Sequence, residues 1–481
     1  MMAQSVKVNY ILNLINTGSQ MLFPLIAFPY ICRVIEADGI GLVNFYQSII
    51  KYISLFTCLG IPMYAIREIA RDRDDVIKMN RTAVELLLLH TFLSLLGYVV
   101  VAILCMVVPQ IKADIPLFLI LSLTIFFTAI GCEWFYQGIE DFKYITIRGL
   151  IIKTIALILL FVFVRTKDDI LYFGCYMVFG VLGGNIFNFF RLRKYIHKEN
   201  ILFSELHIKR HIKPVLKVFS FSVVTSIYLQ LNTVLLGFLK DATVVGYFTA
   251  ATKVMGMLLS MSACLGSVMM PRASHLIAEK KNKEFAHLIQ KSYDFTLAIA
   301  LPVTLFLIFC APTLIIIFCG KDFVQAIEAS QIIAPIILFV AISNVMGIQI
   351  LYPKGKINIV TFCCCIGAVV DLMLNFSLIP TMSYIGTSIA YVGAEFATLL
   401  SMCIMGRKYI PLKYFRRKHL NYILGSIFMA IAFYCIMLLD FSAFSKMILQ
   451  GFCGLGIYLL VLYICKDESL MQILFKVKTK F

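Results

Sequence analysis

Apolar runs of about twenty residues or more recur along almost the whole chain, separated by short polar turns. A helix needs about 20 apolar residues to cross the hydrocarbon core of a bilayer. The pattern predicts fourteen such helices, at 8–33, 40–63, 82–108, 115–138, 146–164, 170–190, 215–239, 243–270, 293–319, 328–352, 357–379, 384–405, 419–439 and 444–465. Pro24 and Pro29 interrupt the first, a break that membranes tolerate because neighbouring helices satisfy the freed backbone groups. The expectation is an all-α polytopic membrane protein. The first apolar stretch, from about Val8 to Ile35, is too long for a signal core and lacks a small-residue cleavage site, so no secretory signal is expected.

The basic residues sort with these spans. With the N-terminus inside, 34 of the 43 Lys and Arg fall on segments at one side of the membrane and seven on the other. That is the bias expected of cytoplasmic loops, and it places both termini in the cytoplasm. The same bias accounts for the net charge of +17 without nucleic acid. Charged residues make up 14% of the chain, against about a quarter in an ordinary soluble domain. Fifteen cysteines include no CxxC, and most lie in apolar runs, as Cys363, Cys364 and Cys365 do, where they read as packing residues. The longest inner segment, 191–217, carries His197, His207 and His211. Positions 207 and 211 have metal-ligand spacing, but a solvated basic face beside anionic lipid is the expectation there. No GxxxxGK[ST] points to an ATPase, and Gly180 with Gly184 reads as a helix-packing motif.

Two stretches echo each other at an offset of about 205. Gly41 matches Gly246, Cys58-Leu59-Gly60 matches Cys264-Leu265-Gly266, and Arg67 matches Arg272. An even number of spans separates the copies, so the repeat is parallel. This predicts an N-terminal lobe at 1–205, a C-terminal lobe at 206–410, and spans 13 and 14 with a tail at 411–481. Two six-helix lobes would surround a central cavity and rock about it.

Charges near the middle of a span cost about 2.5–3.5 kcal/mol each on insertion scales, so they should face water, each other or a ligand. Lys51, Lys253, Glu133, Lys153, Asp371 and Glu395 are such residues. Glu133 and Lys153 lie near inner ends, where a long side chain can reach the interface. Lys51 shares a helical face with Asn44, Gln47, Ser48, Ser54 and Cys58. The first span carries Asn9, Asn13, Asn16 and Gln20, the seventh Ser222, Thr225, Ser226, Asn232 and Thr233, and the eighth Thr249, Lys253, Gly256 and Ser260. Interhelical hydrogen bonding explains single Ser or Thr residues well, and two central lysines poorly. A water-filled pathway is therefore expected, with Arg33, Lys51 and Lys253 attracting an anionic group. Asp371 and Glu395 either pair with the lysines or carry a coupling H+ or Na+.

Several motifs carry a family resemblance. RVIEADGIGLVNFYQSI (33–49) and LGIPMYAIREIARDRDD (59–75) are similar to the first hairpin of the polysaccharide exporters, a branch of the multidrug/oligosaccharidyl-lipid/polysaccharide exporter superfamily. EWFYQGIEDFKYIT (133–146), VVGYFTAATKVMGML (244–258) and YPKGKIN (352–358) resemble later junctions of that family. The resemblance implies a flippase rather than an enzyme, in the bacterial cytoplasmic membrane. It would carry an undecaprenyl-pyrophosphate-linked oligosaccharide to the outer leaflet by alternating access. From the polar faces and intramembrane charges described above, the expected substrate-binding residues are Arg33, Asn44, Gln47, Lys51, Lys253, Asn13 and Asn16, and the expected ion-coupling residues are Asp371, Glu395 and Glu133. No cofactor beyond an H+ or Na+ gradient is implied. Membrane lipids and a polysaccharide polymerase are the expected partners. The alternatives are a cation-coupled multidrug exporter and a lipid II flippase. A membrane-embedded glycosyltransferase or polymerase would need a sizeable outer loop, and every outer loop is short.

Overall fold

The structure is a computed structural model that describes residues 6–196 and 206–467. Within those residues there is no strand, and the helices are α1 Val6–Cys58, α2 Ile61–Asp72, α3 Val76–Val107, α4 Pro109–Lys112, α5 Ile115–Gly131, α6 Glu133–Gly138, α7 Phe142–Phe163, α8 Ile170–Leu192, α9 Lys209–Leu239, α10 Ala242–Ala278, α11 Asn282–Phe318, α12 Gln325–Ile333, α13 Pro335–Asn344, α14 Ile357–Met405, α15 Arg417–Met437 and α16 Ala443–Ile464. The chain divides into two compact units, Met1–Gly246 and Tyr247–Phe481. Short polar residues start several of the apolar helices. Asp75 accepts from the Lys78 amide, Asp114 from Leu117, Asp141 from Tyr144 and Ser442 from Ser445, so each helix start has one of its free N–H groups satisfied.

Among the described residues, eleven helices are long and apolar enough to cross a membrane, against fourteen expected spans. The difference has a physical origin in α1 and α14, which each hold two expected spans. Each is broken by one residue off helical geometry, Glu36 at φ 58°, ψ −177° and Ser383 at φ 54°, ψ −132°. In α14 a Cβ on Gly367 would meet Thr398 and one on Gly393 would meet Leu374, so the two limbs run antiparallel. In α1 the same reversal follows from its neighbours. Thr146 donates to the Leu12 carbonyl and Tyr30 to the Val164 carbonyl, which makes the first limb parallel to α7. Tyr46 packs edge-on against Phe118, and Gly97 abuts both Ile53 and Ile125, which makes the second limb parallel to α5. Asn185 and Asn188 of α8 donate to the carbonyls of Phe127 and Gly131, while Gly184 lies against Arg148 and Gly180 against Ala156. Hence α8 is parallel to α5 and antiparallel to α7, and the limbs of α1 oppose each other. The segment of α9 in the same tally is the shorter apolar stretch Gln230–Leu239.

The echo at offset 205 is visible in space. A Cβ on Gly41 would strike the carbonyl of Ala242, and a Cβ on Gly246 would strike the carbonyl of Ala37. Position 37 stands to 41 as 242 stands to 246, so the contact is reciprocal, as in a two-fold interface. Thr243 donates to Asp38 across the same contact. Glycine is required here because backbone meets backbone.

A second repeated feature closes each unit at the start of its α3 or α11. In the first unit the carboxylate of Glu85, completely buried, accepts from the His207 amide (2.6 Å), Arg210 (2.9 Å) and His211 Nε2 (2.7 Å). Tyr64 holds the other ring nitrogen of His211 at 2.9 Å. Arg210 also reaches Thr82, which donates to Asp72. In the second unit Asp294, 1% exposed, meets Arg416 (2.9 Å), Lys418 and His419 (2.8 Å), with Tyr293 edge-on to the His419 ring. Glu85 lies 209 positions before Asp294 and His211 lies 208 before His419. Each unit is therefore fastened by a basic turn at the head of the helix that follows its six expected spans. His211 is thus a buried ion-pair partner and does not belong to a solvated lipid-facing surface, which corrects the expectation for the 191–217 segment. His197 lies outside the described residues.

Two outcomes follow. Gly41→Leu or Gly246→Leu should lower the melting temperature of purified protein in detergent, whereas Gly451→Leu, with open space around it, should not. Breaking a buried ion pair by removing one partner costs about 3–5 kcal/mol. Arg210→Ala should therefore destabilise toward that range, and Arg416→Ala less, because Asp294 retains Lys418. Denaturant titration of the two variants side by side checks the order.

Candidate functional site

The second limb of α1 separates its polar and apolar residues as the spacing predicts. Val43, Tyr46, Ile50 and Ile53 are buried, while Asn44, Gln47 and Ser54 are half-exposed and Lys51 is exposed. Asn44 donates to the Ile40 carbonyl (2.8 Å), one turn back. Ser48 turns off this face, is buried, and donates to Gln230 of α9 at 3.2 Å. Gln230 was not anticipated. Its signal is an amide in an apolar span, two positions before Asn232 and one helical turn from the Ser and Thr residues noted there. Arg33 is exposed near the end of the first limb and donates to the Pro29 carbonyl (3.1 Å).

On α10, Lys253 and Gly256 are exposed, with Val254 and Met255 buried behind them. Thr249 does not share that exposed face. It is buried, and its carbonyl accepts the Thr252 hydroxyl (3.0 Å). Lys51 belongs to the first unit and Lys253 to the second. The side chains of Asn9, Asn13, Ser222, Thr225 and Ser226 lie outside the described residues.

The first unit gathers a polar cluster against the first limb of α1. Lys153 donates to Ser19 Oγ (2.8 Å), which donates to the Asn16 carbonyl (2.7 Å). Arg148 donates to Glu133 (3.0 Å) and to the Gly184 carbonyl (3.4 Å). Asn16, Gln20, Glu133, Arg148 and Lys153 line a cavity of about 70 Å3, room for several waters. Glu133 and Lys153 are therefore joined to a single polar site, rather than reaching separately to the interface. Arg148, which pairs with Glu133, lines the same cavity as Lys153. The absence of a side chain at Gly184 lets its guanidinium lie against α8, so this GxxxG motif packs a helix and also seats a charge.

The second unit holds the two intramembrane acids, one on each limb of α14. Asp371 is completely buried and accepts from Asn375 Nδ2 (3.1 Å), one turn along. Glu395 is 3% exposed on the returning limb. The hairpin at Ser383 is what brings together acids 24 positions apart. Among the described residues no group of three or more His, Cys, Asp or Glu is placed to hold a metal ion, and every described cysteine is a free thiol.

The arrangement is that of a carrier. Cationic and amide groups are exposed on apolar helices, a polar cluster around a small cavity lies in one unit, and buried carboxylates lie in the other. Comparison with known proteins agrees. Residues 6–277 match the family model described as "Polysaccharide biosynthesis protein". A Shigella dysenteriae protein named for O-antigen transport is 27% identical over 400 residues, which cover 82% of this chain and 98% of the relative. Among solved structures, a lipid II flippase MurJ in an inward closed conformation superposes with a TM-score of 0.77 at 16% identity, over 96% of this chain and 100% of the other. An inward-facing multidrug resistance transporter of the MATE family superposes at 0.64 with 13% identity, over 81% and 94%. At those identities the structural matches show a shared fold. The chain belongs to the polysaccharide biosynthesis protein family and is a multi-pass bacterial membrane transporter.

Proposed function

We propose that this protein is a flippase that moves an undecaprenyl-pyrophosphate-linked oligosaccharide repeat unit from the inner to the outer leaflet by alternating access. The observation that carries the reading is the pair of exposed lysines, Lys51 and Lys253, within otherwise apolar helices. An ammonium facing lipid would be costly. An ammonium facing a hydrated pathway is a point-charge partner for a diphosphate. Asn44 and Gln47 beside Lys51 offer the amide groups that sugar hydroxyls bond, and Arg33 extends the positive strip toward one end. Asn16 joins this set through the cavity it shares with Lys153, and Asn13 through its place in the same stripe. The excess of Lys and Arg orients the clasped end of each unit, and both termini, toward the cytoplasm.

In this reading Asp371 and Glu395 carry the coupling H+ or Na+, and Glu133 exchanges partners with Arg148 and Lys153 as the first unit changes state. The relative named for O-antigen transport supports a lipid-linked glycan as the cargo. A polysaccharide polymerase is the partner expected to consume it.

A hydrogen bond to a charged group is worth about 1.5–3 kcal/mol, so losing one weakens binding roughly ten- to hundred-fold. Lys51→Ala and Lys253→Ala should each lose at least tenfold in transport while inserting normally, and the Arg variants should retain more activity than the Ala variants. Full activity of both Ala variants would overturn the cationic site. A leaflet-resolved assay of the labelled lipid intermediate in a deletion strain should find it held on the cytoplasmic leaflet. Unchanged sidedness would favour drug export. Asp371→Asn and Glu395→Gln should abolish the dependence of transport on the ion gradient while leaving lipid-linked glycan binding in place.

A further inference from the structure

We infer that the first unit carries a binding site for an anionic phospholipid in the outer groove between α7 and α8. The orientation of this site rests on the cytoplasmic placement of the basic ends proposed above. The groove has a volume of about 780 Å3. One wall is Ile147, Ile151 and Ile155, four positions apart on α7, and the other is Phe187 and Phe190 on α8, all five exposed. Eight residues of helix span about 12 Å, which is less than half of a hydrocarbon core about 30 Å thick. The groove therefore fits an acyl chain of one leaflet.

Its mouth is basic. Lys143 is exposed and has no ion-pair partner among the described residues. Arg191 is held by Asp141 (2.7 Å) and lies 3.8 Å from the Tyr144 ring centroid, so Asp141, the acid among the described residues lining the groove, is already paired, and the neighbouring Glu140 is paired with Arg73. Arg193, exposed on the next turn, lies 5.4 Å from the centroid of Phe190 in the groove wall. Two uncompensated cations thus stand over an apolar slot, the combination that anionic headgroups seek. A second groove of about 500 Å3, between α1 and α3, is lined by residues such as Ile49, Phe56, Leu93 and Leu104 and has no charged residue at all. The molecule therefore supplies its own control. Both grooves suit an acyl chain, and only one offers charge complementarity to a phosphate.

The test uses the full-length protein in nanodiscs with a trace of phosphatidylglycerol carrying a diazirine on its acyl chain. Cross-linked peptides are mapped by mass spectrometry. Label is expected on the Ile147–Ile155 and Phe187–Phe190 peptides. The double variant Lys143→Glu with Arg193→Glu should reduce it at least fivefold, without changing label in the α1–α3 groove. A phosphatidylethanolamine probe of the same chain should label the α7–α8 groove weakly and respond little to the variant. Ile151→Trp, which fills the slot and keeps the charges, should also reduce phosphatidylglycerol label. Equal labelling by both lipids, or label unmoved by charge reversal, overturns the proposal. So does a photoreactive polyprenyl diphosphate that labels this groove and displaces phosphatidylglycerol, because the site would then belong to the transported lipid. The lysine variants of the pathway test the flippase reading separately.

Discussion

Hydrocarbon offers no hydrogen bonds, and most of this structure follows from that fact. A backbone group or a charge taken out of water must find a partner inside the protein or a wet surface to face. Helices meet the first demand for the backbone. The charges are met in three ways. Glu85 and Asp294 are enclosed by cations and amides. Glu133, Arg148 and Lys153 share a small polar cavity. Lys51 and Lys253 remain exposed. The first way encloses a charge among partners, the second gathers several charges around one small space, and the third keeps a charge at a surface.

The periodicity of apolar residues made the helices legible from the sequence, and the alternation of basic loops made their direction legible. Both turns within α1 and α14 fall in the gaps left between expected spans, 34–39 and 380–383, where Glu36 and Ser383 take a positive φ. The sequence does not show how tight those turns are, so spans read as separate segments are nearly continuous helix in space. Glycine was more informative. The match of Gly41 to Gly246 proved to be a reciprocal backbone contact, because only a residue without Cβ permits that approach.

The polar stripe of the second limb of α1 was also legible, since a face of Asn44, Gln47, Lys51 and Ser54 needs only helical spacing. The clasps were not. Glu85 is one acid in an apolar run, and its partners Arg210 and His211 lie more than 120 positions away, in a basic segment that loop composition alone describes as solvated. Only long-range packing tells a buried histidine from a surface one. The same is true of Arg148. Its position near an inner helix end looked like one more topological charge, yet its contact with Glu133 across α6 and α7 makes it the centre of a polar site.

The duplication sharpens this contrast. The clasp is present in both units with the same chemistry, a carboxylate on the third expected span and a basic turn at the start of the seventh helix beyond the copy. The interiors have diverged. The first unit places Lys153 and Arg148 against α1, with one acid, whereas the second places Asp371 and Glu395 together in α14. A feature needed only to hold six spans together is served equally well in either copy. The charged interiors are under no such constraint. Lys253 stands exposed in the second unit and Glu133 lies in the first, so neither copy holds one sign alone. Each interior settles its charges with its own partners, Arg148 against Glu133 in the first and Asn375 against Asp371 in the second.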